Sequence, residues 1–300
     1  MKFHMKNYLR KILISGGNGQ LANAIISRAN ETFFEVIACS HQQLDVTNIF
    51  SIQHVLENVK PDIIVNAAAY TAVDDAEINS DIAIQVNYDG TKNLAQLCNQ
   101  HKIPIIHIST DYIFDGEKTL PYTESDSPNP INTYGLSKLL GEKALQDYHD
   151  QYIILRVSGV FSEYKNNFLK TILRIANEKA EIKVVNNQIS CPTYAQDIAD
   201  TIFLLIKNMH TYGIYHYCNY SSVSWFDFAS EILSICKEYN YFLNTIITPI
   251  MSKDYKTLAK RPLYSVLDCA KIKRDYDIGQ SHWQNNIRAI IKKLLVDKGH

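Results

Sequence analysis

No apolar run in this 300-residue chain is long enough to cross a membrane. The first, Ile12-Leu13-Ile14, stops far short of the roughly 20 residues a span requires or the roughly 7–15 of a signal-peptide core. Charge of either sign is not in surplus: 30 basic residues against 31 acidic ones give −1, so no global field points to nucleic acid or to a membrane surface. The six cysteines, at 39, 98, 191, 218, 236 and 269, form no C-x-x-C and have no histidine-rich partner spacing. They read as reduced, mostly buried thiols of a cytoplasmic protein rather than as disulfides or a zinc site. Internal repeats and low-complexity segments are absent. What remains, 46% hydrophobic and 20% charged, is enough chain for one large core or two lobes. Residues before about Tyr8 read as a loose extension, with Met5 as an alternative start.

The first half alternates strand and helix signals. Strands are expected at 11–15, 35–39, 63–67, 105–109 and 153–157, with helices after the Gly-rich turn to about Ala29 and at 49–58, 79–100 and 133–148. Short apolar strands alternating with amphipathic helices predict an α/β fold, a Rossmann-like doubly wound parallel sheet. The second half reads as helices at 168–178, 195–207, 225–237 and 283–296, a strand at 215–218, and a loop-rich run around Pro249 and Pro262. This predicts an NAD(P)-binding domain over residues 1–160. A smaller α+β substrate lobe follows over 161–300, with some of its segments returning to the first domain.

Gly16-x-x-Gly19-x-x-Ala22 follows a predicted strand and opens a predicted helix, the setting in which such a pattern binds a dinucleotide. Gly16 suits the tight turn, Gly19 a backbone approach to pyrophosphate, and Ala22 close helix–strand packing. The second strand ends Ala38-Cys39-Ser40-His41, without the acid that would bind an NAD ribose. Ser40 and His41 are suited to donate to a 2′-phosphate, which favours NADPH; no arginine stands there, and NADH stays open.

Tyr134-x-x-x-Lys138 places a phenol and an ammonium on one helix face, where the lysine is expected to lower the tyrosine pKa and make it a general acid. Tyr88-x-x-x-Lys92 has the same spacing, but no strand-end hydroxyl precedes it, and that pair reads as structural. Ile105–Ser109 ends in Ser109 and Thr110 at the carboxyl edge of the sheet, where open α/β sheets bind ligands. Thr110, Tyr134 and Lys138 beside a nicotinamide form a group suited to carbonyl reduction.

Longer motifs surround these residues: LDVTN at 44–48, PDIIVNAAAYTAVDDAE at 61–77, STDYIFDG at 109–116, PINTYGLSKLLGE at 130–142, NNFLKTILR at 166–174, CPTYAQDIAD at 191–200 and RPLYSVLD at 261–268. With GGNGQLA at 16–22 they make the chain, over residues 9–296, resemble the extended short-chain dehydrogenase/reductases and, within them, the dTDP-4-dehydrorhamnose reductase family. The resemblance implies hydride transfer from NADPH to the C4 ketone of dTDP-4-dehydro-L-rhamnose, a step in making nucleotide sugars for surface polysaccharide. By it, Tyr134 protonates the developing alkoxide, Lys138 binds the nicotinamide ribose, and Thr110 holds the carbonyl with Asp111 beside it. Gly19, Gln20, Leu21, Asp45, Val46, Ala67, Ala68 and Ala69 would line the cofactor. Asn166, Asn167 and Arg261 would hold the diphosphate, or else mark a helix N-terminus and a surface salt bridge. The resemblance leaves room for a homodimer.

The chain departs from the family at Gly159, where a tryptophan contacting the sugar is usual, so a widened pocket is expected and another nucleotide 4-keto-6-deoxy sugar is the nearest alternative substrate. Some family members use Mg²⁺ at a subunit contact; Leu21-Ala22-Asn23-Ala24 offers it no carboxylate, and no metal site is expected. A dehydratase would need an acid after Asp111, where Tyr112 stands, and an epimerase the missing acid after the second strand. A non-catalytic NADP-binding regulatory subunit on this scaffold would more naturally have lost the Tyr/Lys pair. Trp225 and Trp283 read as packing residues, and His107 as a buried, hydrogen-bonded histidine.

Overall fold

The computed structural model describes residues 10–31 and 33–295; the expected N-terminal extension, Met5 and the final residue of the expected closing helix lie outside them. In chain order the first half runs β1 (Arg10–Ser15), α1 (Gln20–Ala29), β2 (Phe34–Cys39), α2 (Ile49–Val59), β3 (Ile63–Asn66), α3 (Val73–Ala76), α4 (Ser80–Ile84), α5 (Gly90–His101), β4 (Ile105–Thr110), α6 (Thr133–Tyr148) and β5 (Tyr152–Val157). The second half runs β6 (Val160–Phe161), α7 (Phe168–Glu178), β7 (Glu181–Val185), β8 (Ile189–Ser190), β9 (Thr193–Tyr194), α8 (Ala195–Lys207), β10 (Gly213–Tyr217), β11 (Val223–Ser224), α9 (Trp225–Glu238), β12 (Ile246–Ile250), α10 (Ala270–Tyr276) and α11 (Trp283–Leu295). No helix among the described residues is long and apolar enough to cross a membrane.

Six parallel strands form the central sheet in the order β10-β5-β4-β3-β1-β2. Ile12, Leu13 and Ile14 are all fully buried, as a parallel strand covered by helices on both faces requires. The order reverses between β1 and β3, so the carboxyl ends of these two strands open the crevice where such sheets bind nucleotides. The Gly16 turn and the Ala67–Ala69 run both emerge there. The late strand β10 adds to the sheet beside β5, while α8 packs on α1 in the same core.

Two expectations about elements need correction. The single helix expected over 79–100 is interrupted by a π turn at Gln85–Asp89 between α4 and α5. That turn aims Asn87 inward, where its side chain accepts from Tyr70 N–H (2.8 Å) and donates to the Tyr70 carbonyl and to Ser137 Oγ (2.9 Å). The second correction lies in the C-terminal half, which contains β7 paired parallel to β12 through Pro249. These strands were not expected, because Pro249 argues against a strand and its tolerance depends on the pair lying outside the main sheet. Helices α7, α9 and α11 close a separate core with them around Phe228 and Trp283.

Candidate active site

The β1–α1 turn has the form of a cradle. Gly16 takes φ +74°, and a Cβ there would stand 2.8 Å from Ala67 O and Ala68. Gly19 caps α1 in extended conformation with no side-chain cap, so the first-turn N–H groups of α1 receive no capping oxygen from the protein. Gln20 donates to Val160 O (3.3 Å) and accepts from Ser162 Oγ (3.1 Å), just beyond the carboxyl end of β5, and Leu21 is buried in the core. Ser40 and exposed His41 lie at the end of β2, where the loop returns Asp45 to 3.8 Å from His41 Nδ1. The strand end is therefore not free of a carboxylate, as residues 38–41 alone suggested. That carboxylate is turned into its own loop by the Thr47 N–H (2.9 Å) and hydroxyl (2.8 Å). Val46 is buried, its carbonyl accepting from Asn93.

Thr110, Tyr134 and Lys138 converge. Asn132 caps α6 by accepting from Gly135 N–H (2.7 Å) and donates to Lys260 O (2.8 Å), which ties the helix start to the 255–263 segment. Gly135 has no Cβ because Tyr112 O would lie 2.1 Å from it, so α6 approaches the β4 end closely enough to bring the Tyr134 phenol within hydrogen-bond reach of Thr110. Tyr112 and Tyr134 meet edge to face at 5.9 Å.

The proton inventory differs from the expectation. Burial pushes the Tyr134 phenol up to about 12, with Thr110 pulling it down and Asp111 adding to the rise. Lys138 has turned its Nζ to Ile108 O (2.6 Å) and His107 Nε2 (3.4 Å), and burial lowers it to about 8 against the pull of Glu142. The lysine therefore does not lower the phenol as its helical spacing suggested, because its ammonium is held by strand β4. The Tyr134 phenol is therefore protonated at neutral pH. If Lys138 acts as the ammonium, turnover should fall above about pH 8 as it deprotonates. A rate profile flat to well beyond that pH would show that its charge is not needed.

Asp111 is 3% exposed, and its oxygens are occupied: Ser265 Oγ (2.6 Å), Ser158 Oγ (2.8 Å) and Thr110 Oγ1 (3.2 Å) all donate to it. It thus ties the ends of β4 and β5 to the 261–268 segment. Burial, opposed by the three hydroxyls, pushes its carboxyl up to about 6. Folding therefore takes up a proton between the ordinary carboxylate value and about 6, and this group's contribution to stability declines as pH rises through that window. Asp111→Asn removes the titration. In urea denaturation the variant should gain on wild type by on the order of 3 kcal/mol from about pH 4 to about pH 7. Parallel curves would exclude the carboxylate as the cause.

Beside Tyr112 lies a cavity of about 250 Å³ lined by Phe168, Thr171, Trp225, Tyr255 and Arg261 among others. Trp225 lines the cavity and also packs, half-buried, against the core around Phe228, tilted on Phe168 at 4.6 Å, while Trp283 lies within that core, 2% exposed. Arg261 is held bidentately by Asp74 (2.6 and 3.3 Å) and also donates to the Tyr112 hydroxyl. Asn167 caps α7, accepting from Lys170 N–H (3.2 Å), with its amide on Ser162 O (2.7 Å); Asn166 is exposed. Asn167 thus stands at a helix N-terminus. Gly159 does not line the cavity. Its φ is +51°, and a Cβ there would stand 2.9 Å from Cys191 O, so the backbone at this position favours glycine. Lys92, of the Tyr88-x-x-x-Lys92 pair, lies 5.4 Å over the Tyr148 ring. Among the described residues no group of three or more His, Cys, Asp or Glu is placed to hold a metal ion.

A parallel sheet with a Gly-rich β1–α1 turn, and a Thr–Tyr–Lys group at its carboxyl edge, define an extended short-chain dehydrogenase/reductase. The RmlD substrate binding domain family matches residues 10–296, and the chain belongs to it. The chain is 40% identical over 291 residues to the dTDP-4-dehydrorhamnose reductase of Aggregatibacter actinomycetemcomitans, covering 94% of this chain and 99% of that protein. It superposes with a TM-score of 0.89 on a dTDP-4-dehydrorhamnose reductase from Clostridium acetobutylicum, 35% identical over 95% of this chain and 99% of that one. The same score relates it to the Bacillus anthracis reductase in complex with NADP, at 34% identity and the same coverage.

Proposed function

We propose that this protein reduces the C4 ketone of dTDP-4-dehydro-L-rhamnose to dTDP-L-rhamnose with NADPH. The observation that carries the reading is the convergence of a protonated Tyr134 phenol and the Thr110 hydroxyl at the sheet edge, one strand from a Gly16–Gly19 cradle a Cβ would fill. The uncapped N-terminus of α1 fits the pyrophosphate of a dinucleotide. Reduced nicotinamide, when bound, supplies the hydride. Thr110 then turns its hydroxyl from Asp111 to the ketone oxygen, Tyr134 gives that oxygen a proton as charge develops, and the Lys138 ammonium binds the ribose. The roles of Ser40, His41, Asp45, Ala67, Ala68 and Ala69 at the cofactor, and of Arg261 at the diphosphate, belong to this reading. Arg261 is supported by its place on the cavity wall, where Phe168, Trp225 and Tyr255 offer apolar faces to a base.

We also divide the chain into a cofactor lobe over 1–160, completed by returning segments such as β10, and a substrate lobe over most of 161–300. Six buried free thiols support a reducing, cytoplasmic setting. The test is NADPH oxidation with dTDP-4-dehydrorhamnose, run beside other nucleotide 4-keto-6-deoxy sugars and beside NADH. Cofactor binding without turnover of any of them would overturn the reductase reading and leave the non-catalytic one.

A further inference from the structure

His107 has a buried polar partner on each ring nitrogen, and one of them is Lys138. The ring is fully buried in β4. Its Nε2 lies 3.4 Å from Lys138 Nζ, and its Nδ1 lies 3.0 Å from the Asn66 amide of β3. Asn66 Oδ1 in turn accepts from Ser15 Oγ of β1 at 2.7 Å, while its Nδ2 faces both His107 Nδ1 and Thr91 Oγ1 of α5 (3.5 Å). The chain of contacts thus crosses three strands to reach one lysine. Burial and the neighbouring ammonium hold the imidazole far below its ordinary pKa, so it is neutral and has one donor and one acceptor nitrogen.

An ammonium can only donate. While Lys138 is charged, Nε2 must accept and Nδ1 must carry the proton, so the Asn66 amide makes a half-turn from the orientation above, bringing its oxygen to Nδ1 and its NH₂ to Ser15 and giving up Thr91, whose own hydrogen goes to Asn87 O. If Lys138 were neutral, every bond in the chain could reverse: Nε2–H to the amine, the Asn66 NH₂ to Nδ1, and the Ser15 hydroxyl to the Asn66 oxygen. A half-turn of one amide and a change of tautomer separate the two patterns. With Ile108 O and His107 Nε2 taking two of the three ammonium hydrogens, one is left for a ligand.

We propose that His107, backed by Asn66, is the positioning residue for Lys138: its Nε2 accepts from the ammonium, fixing the lysine's place and the pH at which it loses its charge. The proposal rests on the reductase reading for the use made of Lys138. The other charges near the pair are accounted for. On α6 itself stand Tyr134 and Glu142; β4 adds Asp111, which acts on Tyr134, and β5 adds Arg156, which is engaged by Glu142. The named contacts from β1, β3 and α5 are the uncharged Ser15, Asn66 and Thr91.

The test compares H107Q, whose amide oxygen reaches the Nε2 position, with H107N, which falls short of it, and H107F, which has no acceptor. Two pH profiles are read for each: kcat/KM, and NADPH affinity by fluorescence. Without the acceptor the charged lysine is disfavoured, so the basic limb of both profiles should move down by about one pH unit in H107N and H107F. kcat/KM at pH 8 should then fall about fivefold. H107Q should keep both limbs near the wild-type position. Identical limbs in all three variants would overturn the proposal. So would a result in which only H107Q folds, since His107 would then serve the core rather than the lysine. Failure of wild type to turn over would instead sink the reductase reading, and the affinity profiles would still decide the part played by His107.

Discussion

Tyr134→Phe should lower kcat by roughly 10²–10⁴-fold while NADPH affinity stays within a few-fold of wild type. The size of the loss follows from the absence of a second acid at the site. Thr110 already gives its hydrogen to Asp111 (3.2 Å), and Asp111 accepts from three hydroxyls. Lys138 has turned its Nζ to Ile108 O and His107. With the phenol gone, the developing alkoxide is left to water or to the one Lys138 hydrogen not engaged by Ile108 O and His107, neither of which is held at Thr110 as the phenol is. The ring itself remains, so the edge-to-face packing on Tyr112 is kept and stability should move little. Single-turnover NADPH oxidation under saturating sugar nucleotide separates the chemical step from binding and product release. A kcat unchanged in that experiment would place the proton donor elsewhere.

The fold class was legible because its signals are local and periodic. The buried run Ile12–Ile14, the turn at Gly16 and the span 133–148 each announce an element whose ends the structure reproduces within a residue or two. The parts that were not legible depend on contacts distant in sequence. The π turn at 85–89 exists because Asn87 reaches Tyr70 and Ser137, and no pattern within the helix encodes that. Pairing of β7 with β12 brings together segments more than sixty residues apart, through a proline that argued against a strand.

At the site, Tyr134, Lys138 and Thr110 were found from spacing and from the strand end. Their electrostatics were not, because burial outweighs the i,i+4 neighbour that the helical wheel suggests. His107, Glu142 and Asp74 were missed as partners. Each looks ordinary in sequence and gains its part only from what the sheet brings beside it. An aromatic at position 225 gave no sign of facing a cavity, since Trp225 and Trp283 differ in surroundings rather than in local pattern.

Glu142→Ala should be the most destabilising single change near the site, costing about 3–5 kcal/mol. Glu142 lies one turn beyond Lys138, and it and Arg156 are almost wholly buried. The guanidinium donates to it through Nη2 (2.7 Å) and Nε (3.0 Å), and the Ser109 hydroxyl adds a further bond. On its other side Arg156 Nη1 faces His216 Nε2 (3.3 Å), whose Nδ1 faces Tyr122 O (3.0 Å). Burial and Arg156 press that imidazole down to about 3, so it is neutral and accepts from the arginine. An alanine at 142 would leave the guanidinium buried with no counter-charge. That, rather than the loss of an attraction, is why the cost is large. Glu142→Gln keeps the shape and an acceptor and should cost less. Replacing both members of the pair with apolar residues of similar volume, as in Glu142→Leu with Arg156→Met, should recover much of the stability lost in the alanine variant. Urea denaturation at constant m-value reads all three. The double variant carries a second consequence: without the carboxylate that raises it, Lys138 should lose its proton at lower pH even where the fold is restored. A stable double variant with an unmoved basic limb would show that Glu142 serves the fold alone.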